Sequence, residues 1–399
     1  MGPKNKILFV DHDCGYSGAT VSLAYLIKAF INDHFDVYLL TPKTNEFTKD
    51  FVELGVKIIK CGNRCISTFQ LDLHFTAEIN FLSLLGFGVI LKNIGKVLYG
   101  FFMTLKVLIS IKPDILYLNE YVVIQSAFAG WIFKIPTVTH VRSQIVAGTF
   151  GFRNYLTRKS IIAFNKKIIA ITKQEAIQLK TSSKKIKIMG EFLSDENYCL
   201  NNNIRGIKNE LDIPPDGKII LFMGGISSIK GSLDIIRATG LLLDKMPNLY
   251  LLIIGDIDTS SAEKKKYYEE CLGLCGTSLN YRILGHVANT IDFIRIADVL
   301  VSANNFSHFS RPIIEAWAQK KCVISYDLPH AKDLIEHEVN GLLVEYGNYA
   351  KLSDAIQTIF NDELLKAKLA ENGYKKAIKE FNAKSNAKFI VGICKDLLK

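Results

Sequence analysis

Several common signatures are missing from these 399 residues, and each absence closes off a class of protein. Eight cysteines are scattered, and the close pairs, Cys61 with Cys65 and Cys271 with Cys275, lack the tight, doubled spacing of a zinc site. They read as reduced thiols, which fits a cytoplasmic protein. Neither GxGxxG nor GK[ST] occurs, so a dinucleotide cofactor and a Walker loop are not expected. Prolines number nine and no low-complexity tract is present, which excludes a disordered chain. The opening MGPKNKILFVDHD passes straight into a strand-like run without an apolar leader, so secretion is not expected.

Acidic residues are also unevenly missing. Residues 1 to 200 hold 24 Lys/Arg against 15 Asp/Glu, a balance of +9, whereas the remainder holds 25 against 24. The first half therefore faces something anionic. No Arg-rich helix or aromatic RNA-binding pattern accompanies the charge, so nucleic acid is not the expected partner. Residues 79–113 contain no acid at all but carry Lys92, Lys96, Lys106 and Lys112. On one helix Lys92, Lys96 and Lys106 fall within an arc of about 80°, an interfacial pattern that points to an anionic membrane surface. The alternative is a core helix with a solvated lysine edge. A transmembrane span is not expected, because Lys92 and Lys96 interrupt the run before the roughly 18–20 residues a bilayer needs.

What is present is regular. KILFVD, DVYLLT, VKIIKC, DILYLNE, PTVTHV and KIIAIT alternate with helical stretches, and KIILFMGG, LYLLIIGD, YRILGH, DVLVSA and CVISYD do the same further on. Near-continuous apolar runs of this kind are strands buried on both faces, and their alternation with helices predicts parallel sheets. The expectation is an α/β chain of two Rossmann-like, doubly wound domains facing across a cleft: residues 1–198, then 199–375, with a C-terminal helix over 376–399 packing back on the first. Ligands are expected at the C-terminal strand ends.

Four loops there could carry chemistry. HDCGYSGATVSLAYLI places Ser17 and Gly18 at a helix start, where backbone N–H groups can approach an anion. LFMGGISSIKG repeats the layout with Gly225, Ser228 and Lys230, residue types suited to phosphate oxygens, although Lys230 could equally be a surface lysine. PTVTHVRS ends a strand on His140, with Arg142 two residues on. SHFSRPIIEAWA runs from a loop into a helix opened by Pro312, with Glu315 about one turn in. That carboxylate is either a dipole partner for the helix or an acceptor for a vicinal diol such as a ribose, with Arg311 and free N–H groups facing phosphate.

Taken together these loops resemble the GT-B fold glycosyltransferases of family four, over nearly the whole chain and most strongly over 219–346. SRPIIEAWAQKKCVIS is similar to that family's E-x7-E segment, which makes Glu315 the implied ribose ligand. GGISSIKG is similar to its glycine to Lys-Gly loop, implying Lys230 as diphosphate ligand. LLIIGD, containing Gly255, and LGHVANTIDFIRIADVLVSA follow the same order, so Gly285, His286 and Val287 would hold the base. Phe309, Ser310, Arg311 and Ile314 fall in the donor segment, and His140 matches the histidine beside the donor sugar.

The resemblance implies a retaining transferase that moves a sugar from a nucleoside diphosphate, UDP foremost, to a glycan or lipid-linked hydroxyl in bacterial surface polysaccharide synthesis. The enzyme would be cytoplasmic or peripheral on the inner membrane face. The nucleotide sugar is a co-substrate, and no cofactor or obligatory metal is expected. Departures stand beside these matches: Ser307 occupies the place of the first glutamate of the motif, Gly225 that of the phosphate-binding arginine, and Thr20 that of a helix-start glutamate. They leave open a catalytically silent nucleotide-sugar-binding scaffold of the same fold.

Overall fold

The computed structural model describes residues 4–12, 18–42, 46–60, 84–145, 151–199, 205–287, 289–306 and 309–399. Ser17 and Ser307 therefore lie outside the described residues. The chain divides into two compact units, one of residues 1–192 with 383–399, the other of residues 193–382. The crossings fall at Phe192/Leu193 and Asn382/Ala383, several residues from the positions expected at 198 and 375.

The first unit runs β1 (Lys6–Val10), α1 (Gly18–Asn32), β2 (Asp36–Thr41), α2 (Glu46–Glu53), β3 (Lys57–Lys60), α3 (Leu84–Ile111), β4 (Ile115–Leu118), α4 (Ile124–Ile132), β5 (Thr137–Val141), α5 (Phe152–Phe164), β6 (Lys167–Ala170), α6 (Lys173–Ile177) and β7 (Ile186–Ile188). Its seven strands are parallel in the order β3-β2-β1-β4-β5-β6-β7. The second unit runs α7 (Asp195–Tyr198), α8 (Arg205–Glu210), β8 (Lys218–Phe222), α9 (Ser232–Leu243), β9 (Leu249–Ile254), α10 (Ala262–Cys275), β10 (Tyr281–Gly285), α11 (Thr290–Ile296), β11 (Val299–Ser302), α12 (Arg311–Ala318), β12 (Cys322–Tyr326), α13 (Pro329–Leu334), β13 (Leu342–Val344), α14 (Tyr349–Asn361) and α15 (Glu363–Phe381). Its six strands are parallel in the order β10-β9-β8-β11-β12-β13. The final helix, α16 (Ala383–Asp396), belongs to the first unit and packs along α1, where Lys395 also pairs with Asp33.

Each sheet is doubly wound, with the strand order reversing beside its first strand, between β1 and β4 in one unit and between β8 and β11 in the other. Such a switch point leaves a crevice at the carboxyl ends of the two strands. Burial on both faces produces the continuous apolar runs seen in the sequence: every residue of β4, β5, β11 and β12 is buried. One face of the first sheet is covered by α1 and α16, the other by α3, α4 and α5, whose residues Val107, Leu108, Ala127 and Ile161 join the core. Two strands, β7 and β13, were not anticipated. Both are three-residue edge strands: IKI is interrupted by an exposed lysine, and the apolar run LLV is only three residues long.

Candidate functional site

In the second unit the loop after β8 and the loop after β11 flank the switch point and are tied together. Asn305 donates its backbone N–H to Ile229 O at 2.8 Å and its Nδ2 to Ser228 O at 2.7 Å. Gly231, at φ +79°, passes so close that a Cβ there would sit 2.0 Å from Ala303 O. Sequence reasoning overlooked Asn305; its only signal is its position after a central strand.

The glycine loop differs from its expectation in a specific way. Backbone N–H groups were expected to face an anion, yet most already have protein acceptors: Gly225 N to Ile254 O (2.9 Å), Ile226 N to Asp256 O (3.1 Å), Ser227 N to Ser232 Oγ (2.8 Å) and Leu233 N to Tyr267 Oη (3.1 Å). The Lys230 side chain is different. Its ammonium is half-buried and has no hydrogen bond or ion pair among the described residues, and burial alone pulls its pKa below 10.5. A charge taken out of water without a counterion is costly, and an anion beside it would relieve that cost.

At α12, Ser310 is the N-cap and Pro312 lies in the first turn. Ile313, Ile314 and Trp317 point into the core, which turns Arg311 and Glu315, one helical turn apart, to the opposite side. There Arg311 Nε donates to Glu315 Oε1 at 2.7 Å, and the second carboxylate oxygen has no hydrogen bond among the described residues. The helix start offers fewer free donors than expected, since Pro312 has no N–H and Ile313 N bonds Ser310 O at 3.2 Å. Ile314 is fully buried, and the Phe309 ring packs on Phe381 with centroids 6.3 Å apart, so these two side chains serve the core and do not face a ligand. Ser310 Oγ lies 3.1 Å from Ser302 Oγ at the edge of a small pocket lined by Ser302, Asn304, Phe306, Tyr326 and His330.

Gly255 and Gly285 continue this edge. Gly255 N donates to Gly285 O at 2.8 Å, and both have positive φ, with open space around the missing Cβ of Gly285. His286 is exposed, 3.9 Å from Asp256 Oδ1, and Val287 is half-buried next to it. Asp256 and Asp258 have an Asp-x-Asp spacing where the sequence reading expected none beside the ligand, and Asp258 holds Lys264. Gly225, at φ +59°, explains the missing arginine: a Cβ there would lie 2.0 Å from Asp256 O, so this backbone accepts only glycine.

In the first unit Gly18 starts α1 and a buried polar group occupies the switch point. Asn119 Nδ2 donates to Asp11 Oδ1 at 2.8 Å and Arg142 Nε to Asn119 O at 3.0 Å, while Arg142 Nη1 pairs with Glu191 and Ser22 donates to the other Glu191 oxygen. Arg142 is thus an internal tie and not an exposed phosphate ligand; Arg142 and Glu191 are 4% and 5% exposed. Glu120 accepts from Tyr121 N and Arg142 N, and burial raises its pKa. Asp11, Asn119, Glu120 and Glu191 were missed because single polar residues at strand ends have no pattern of their own.

His140, at the end of β5, is fully buried. Its Nδ1 lies 3.0 Å from Tyr117 Oη, and its Nε2 has no hydrogen-bond partner among the described residues. Burial first, and Arg142 second, hold its pKa well below 6.5. The unfolded chain therefore binds a proton that the folded ring refuses, so stability should fall as pH drops below 6.5. His140→Phe should flatten that part of a denaturation-against-pH curve; an unchanged slope would contradict the assignment.

Residues 203–376, nearly all of the second unit, match the family model described as glycosyl transferases group 1. The chain is 27% identical over 258 residues to the capsular polysaccharide biosynthesis glycosyltransferase CapM of Staphylococcus aureus, covering 63% of this chain and 67% of the relative. It is 27% identical over 173 residues to the lipopolysaccharide core biosynthesis glycosyltransferase LpsE of Rhizobium meliloti, covering 43% of this chain and 48% of that one. The chain thus spans about half to two thirds of these relatives. Among solved structures it is similar to HepE of Anabaena in complex with UDP, with a TM-score of 0.78, 18% identity, and coverage of 98% of this chain and 100% of that one. A glycosyltransferase from Rickettsia africae gives a TM-score of 0.78 at 19% identity, covering 99% of each chain. These likenesses establish the fold, that of the GT-B glycosyltransferases.

Proposed function

We propose that the chain transfers a sugar from a nucleoside diphosphate, UDP in the first instance, to a hydroxyl of a glycan or lipid-linked acceptor, with the anomeric configuration kept. The half-buried ammonium of Lys230, without a counterion among the described residues and next to the switch point of the unit that matches the glycosyl transferases group 1 model, carries this reading. Solved relatives of the same fold bind UDP and UDP-glucose, and curated relatives make capsular and lipopolysaccharide chains.

Breaking the bond between sugar and diphosphate places negative charge on the leaving group, and fixed positive groups lower that barrier. In this proposal Lys230 meets the diphosphate, Arg311 supplies the second cation that Gly225 cannot, and Glu315 takes the ribose hydroxyls. The leaving phosphate itself accepts the proton of the attacking hydroxyl, and no metal ion is assigned. The role implied for His140 is a separate proposal about the first unit, with its Nε2, which has no partner among the described residues, serving a sugar hydroxyl.

Lys230→Ala should weaken UDP binding by about tenfold to a hundredfold, the worth of one charge-assisted contact, and leave uridine binding nearly unchanged. Calorimetric titration with both ligands checks this. Because burial lowers the Lys230 pKa, UDP affinity of the native protein should also fall as pH rises toward 10.5, earlier than an exposed lysine would allow. Equal losses for UDP and uridine would place Lys230 away from the diphosphate.

A further inference from the structure

The helical layer formed by α3, α4 and α5 on the first sheet has an outer face unlike the rest of the molecule. On α3 the exposed side chains Leu91, Ile94, Leu98, Phe102 and Ile109 lie within an arc of about 80° at 100° per residue, opposite the buried Thr104, Val107 and Leu108. This corrects the sequence expectation. Lys96 is only 9% exposed, so the outward edge of α3 is apolar rather than lysine-lined, and Lys106 stands beside it.

The apolar surface continues onto the next helices through a chain of rings. Phe102 touches Phe101, Phe101 stacks on Phe128 at 5.4 Å, Phe128 stacks on Trp131 at 5.9 Å, and Trp131 meets Phe164 at 5.8 Å. Phe102 is 62% exposed and Trp131 56%, with Ile132 and Phe133 exposed next to them. Folded monomers rarely leave so continuous an apolar patch in water.

Charge identifies what covers it. Helices α3, α4 and α5 contain no acidic residue, whereas Lys106 on α3 and Lys159 on α5 are exposed and Arg153 and Arg158 on α5 half-buried, Lys96 being turned inward and no part of this rim. A second copy placed face to face would set cations against cations, which a self-complementary interface disfavours. An anionic lipid surface takes both the apolar stripe and the basic rim, and Trp and Phe favour that boundary.

We infer that the α3–α4–α5 face docks in the plane of an anionic bilayer, with Leu98, Phe102 and Trp131 entering the headgroup boundary. The segment Ile94–Ile111 is long and apolar enough to cross a membrane, against the sequence expectation. Here it lies on the bilayer, because Val107 and Leu108 are part of the sheet core, Thr104 Oγ1 bonds Ser126 Oγ at 2.8 Å, and Lys6 Nζ bonds Ile111 O at 3.1 Å.

The test uses the full chain with phosphatidylcholine vesicles, with and without phosphatidylglycerol. The native protein should co-sediment with the anionic vesicles at low salt. Its tryptophan emission should shift to the blue, since of its two tryptophans Trp317 is already buried and only Trp131 can change surroundings. The triple variant Leu98→Ser, Phe102→Ser, Trp131→Ser should lose at least about tenfold in partitioning with an unchanged melting temperature. Lys106→Glu with Lys159→Glu, which leaves Leu98, Phe102 and Trp131 in place, should weaken binding to the anionic vesicles selectively. A native protein that stays in the supernatant, or a folded triple variant that binds as well, overturns the inference. So does a native dimer in sedimentation velocity that the triple variant dissociates, which would assign the face to a second copy. None of these readouts needs a sugar donor, so they stand apart from the transferase reading.

Discussion

Arg142→Ala is expected to destabilise the protein by about 3–5 kcal/mol, the usual cost of leaving one partner of a buried ion pair alone. Arg142 and Glu191 are both almost wholly buried, and the guanidinium also holds Asn119 O. Truncation would leave the Glu191 carboxylate in the interior without its guanidinium partner. Replacing both, as Arg142→Met with Glu191→Leu, removes the stranded charge and should restore most of the loss. Urea denaturation of the two single variants and the double variant, combined as a mutant cycle, measures the coupling directly. A loss below about 1 kcal/mol would mean that the pair behaves as a solvated one.

Gly225→Arg should fail to rebuild a phosphate site and should instead cost about 3 kcal/mol or more, through positive φ and steric overlap together. A Cβ at this position would sit 2.0 Å from Asp256 O and 2.8 Å from Asp256 N, both backbone atoms that cannot rotate aside. The loop would have to move, and with it the bonds from Gly225 N to Ile254 O and from Ile226 N to Asp256 O that join the ends of β8 and β9. Thermal melts of the variant with and without UDP decide the matter. A variant as stable as the parent, with tighter UDP binding, would show that the loop adapts and that arginine suits this position.

The two predictions concern opposite kinds of information. Gly225 was visible in the sequence as a departure from a motif, yet the reason for it depends on Asp256, thirty-one residues on, whose carbonyl fills the space a side chain would need. Arg142 was visible as a cation two residues beyond a strand, and it was read as facing a ligand because a strand end gives no sign of what lies across it. Glu191, three residues past β7 of the same sheet, is what turns it inward. The positions of Lys230, Arg311 and Glu315 were legible because their signals are local, a lysine before a helix start and two residues one turn apart on a helix whose apolar face is written in Ile313, Ile314 and Trp317, whereas the ion pair between Arg311 and Glu315 was not, since the sequence assigned them to separate partners.

Strand and helix alternation, and with it two parallel sheets, followed from the sequence alone, because runs of β-branched residues buried on both faces leave their mark in consecutive positions. The two unanticipated edge strands, the inward turn of Arg142 and His140, and the apolar outer edge of α3 were decided by tertiary structure. Each depends on which neighbour occupies the facing space, and a helical arc or a strand end carries no record of that neighbour. On α3 the same residues allow the lysines or the leucines to face outward, and packing of Val107 and Leu108 on the sheet selects the leucines.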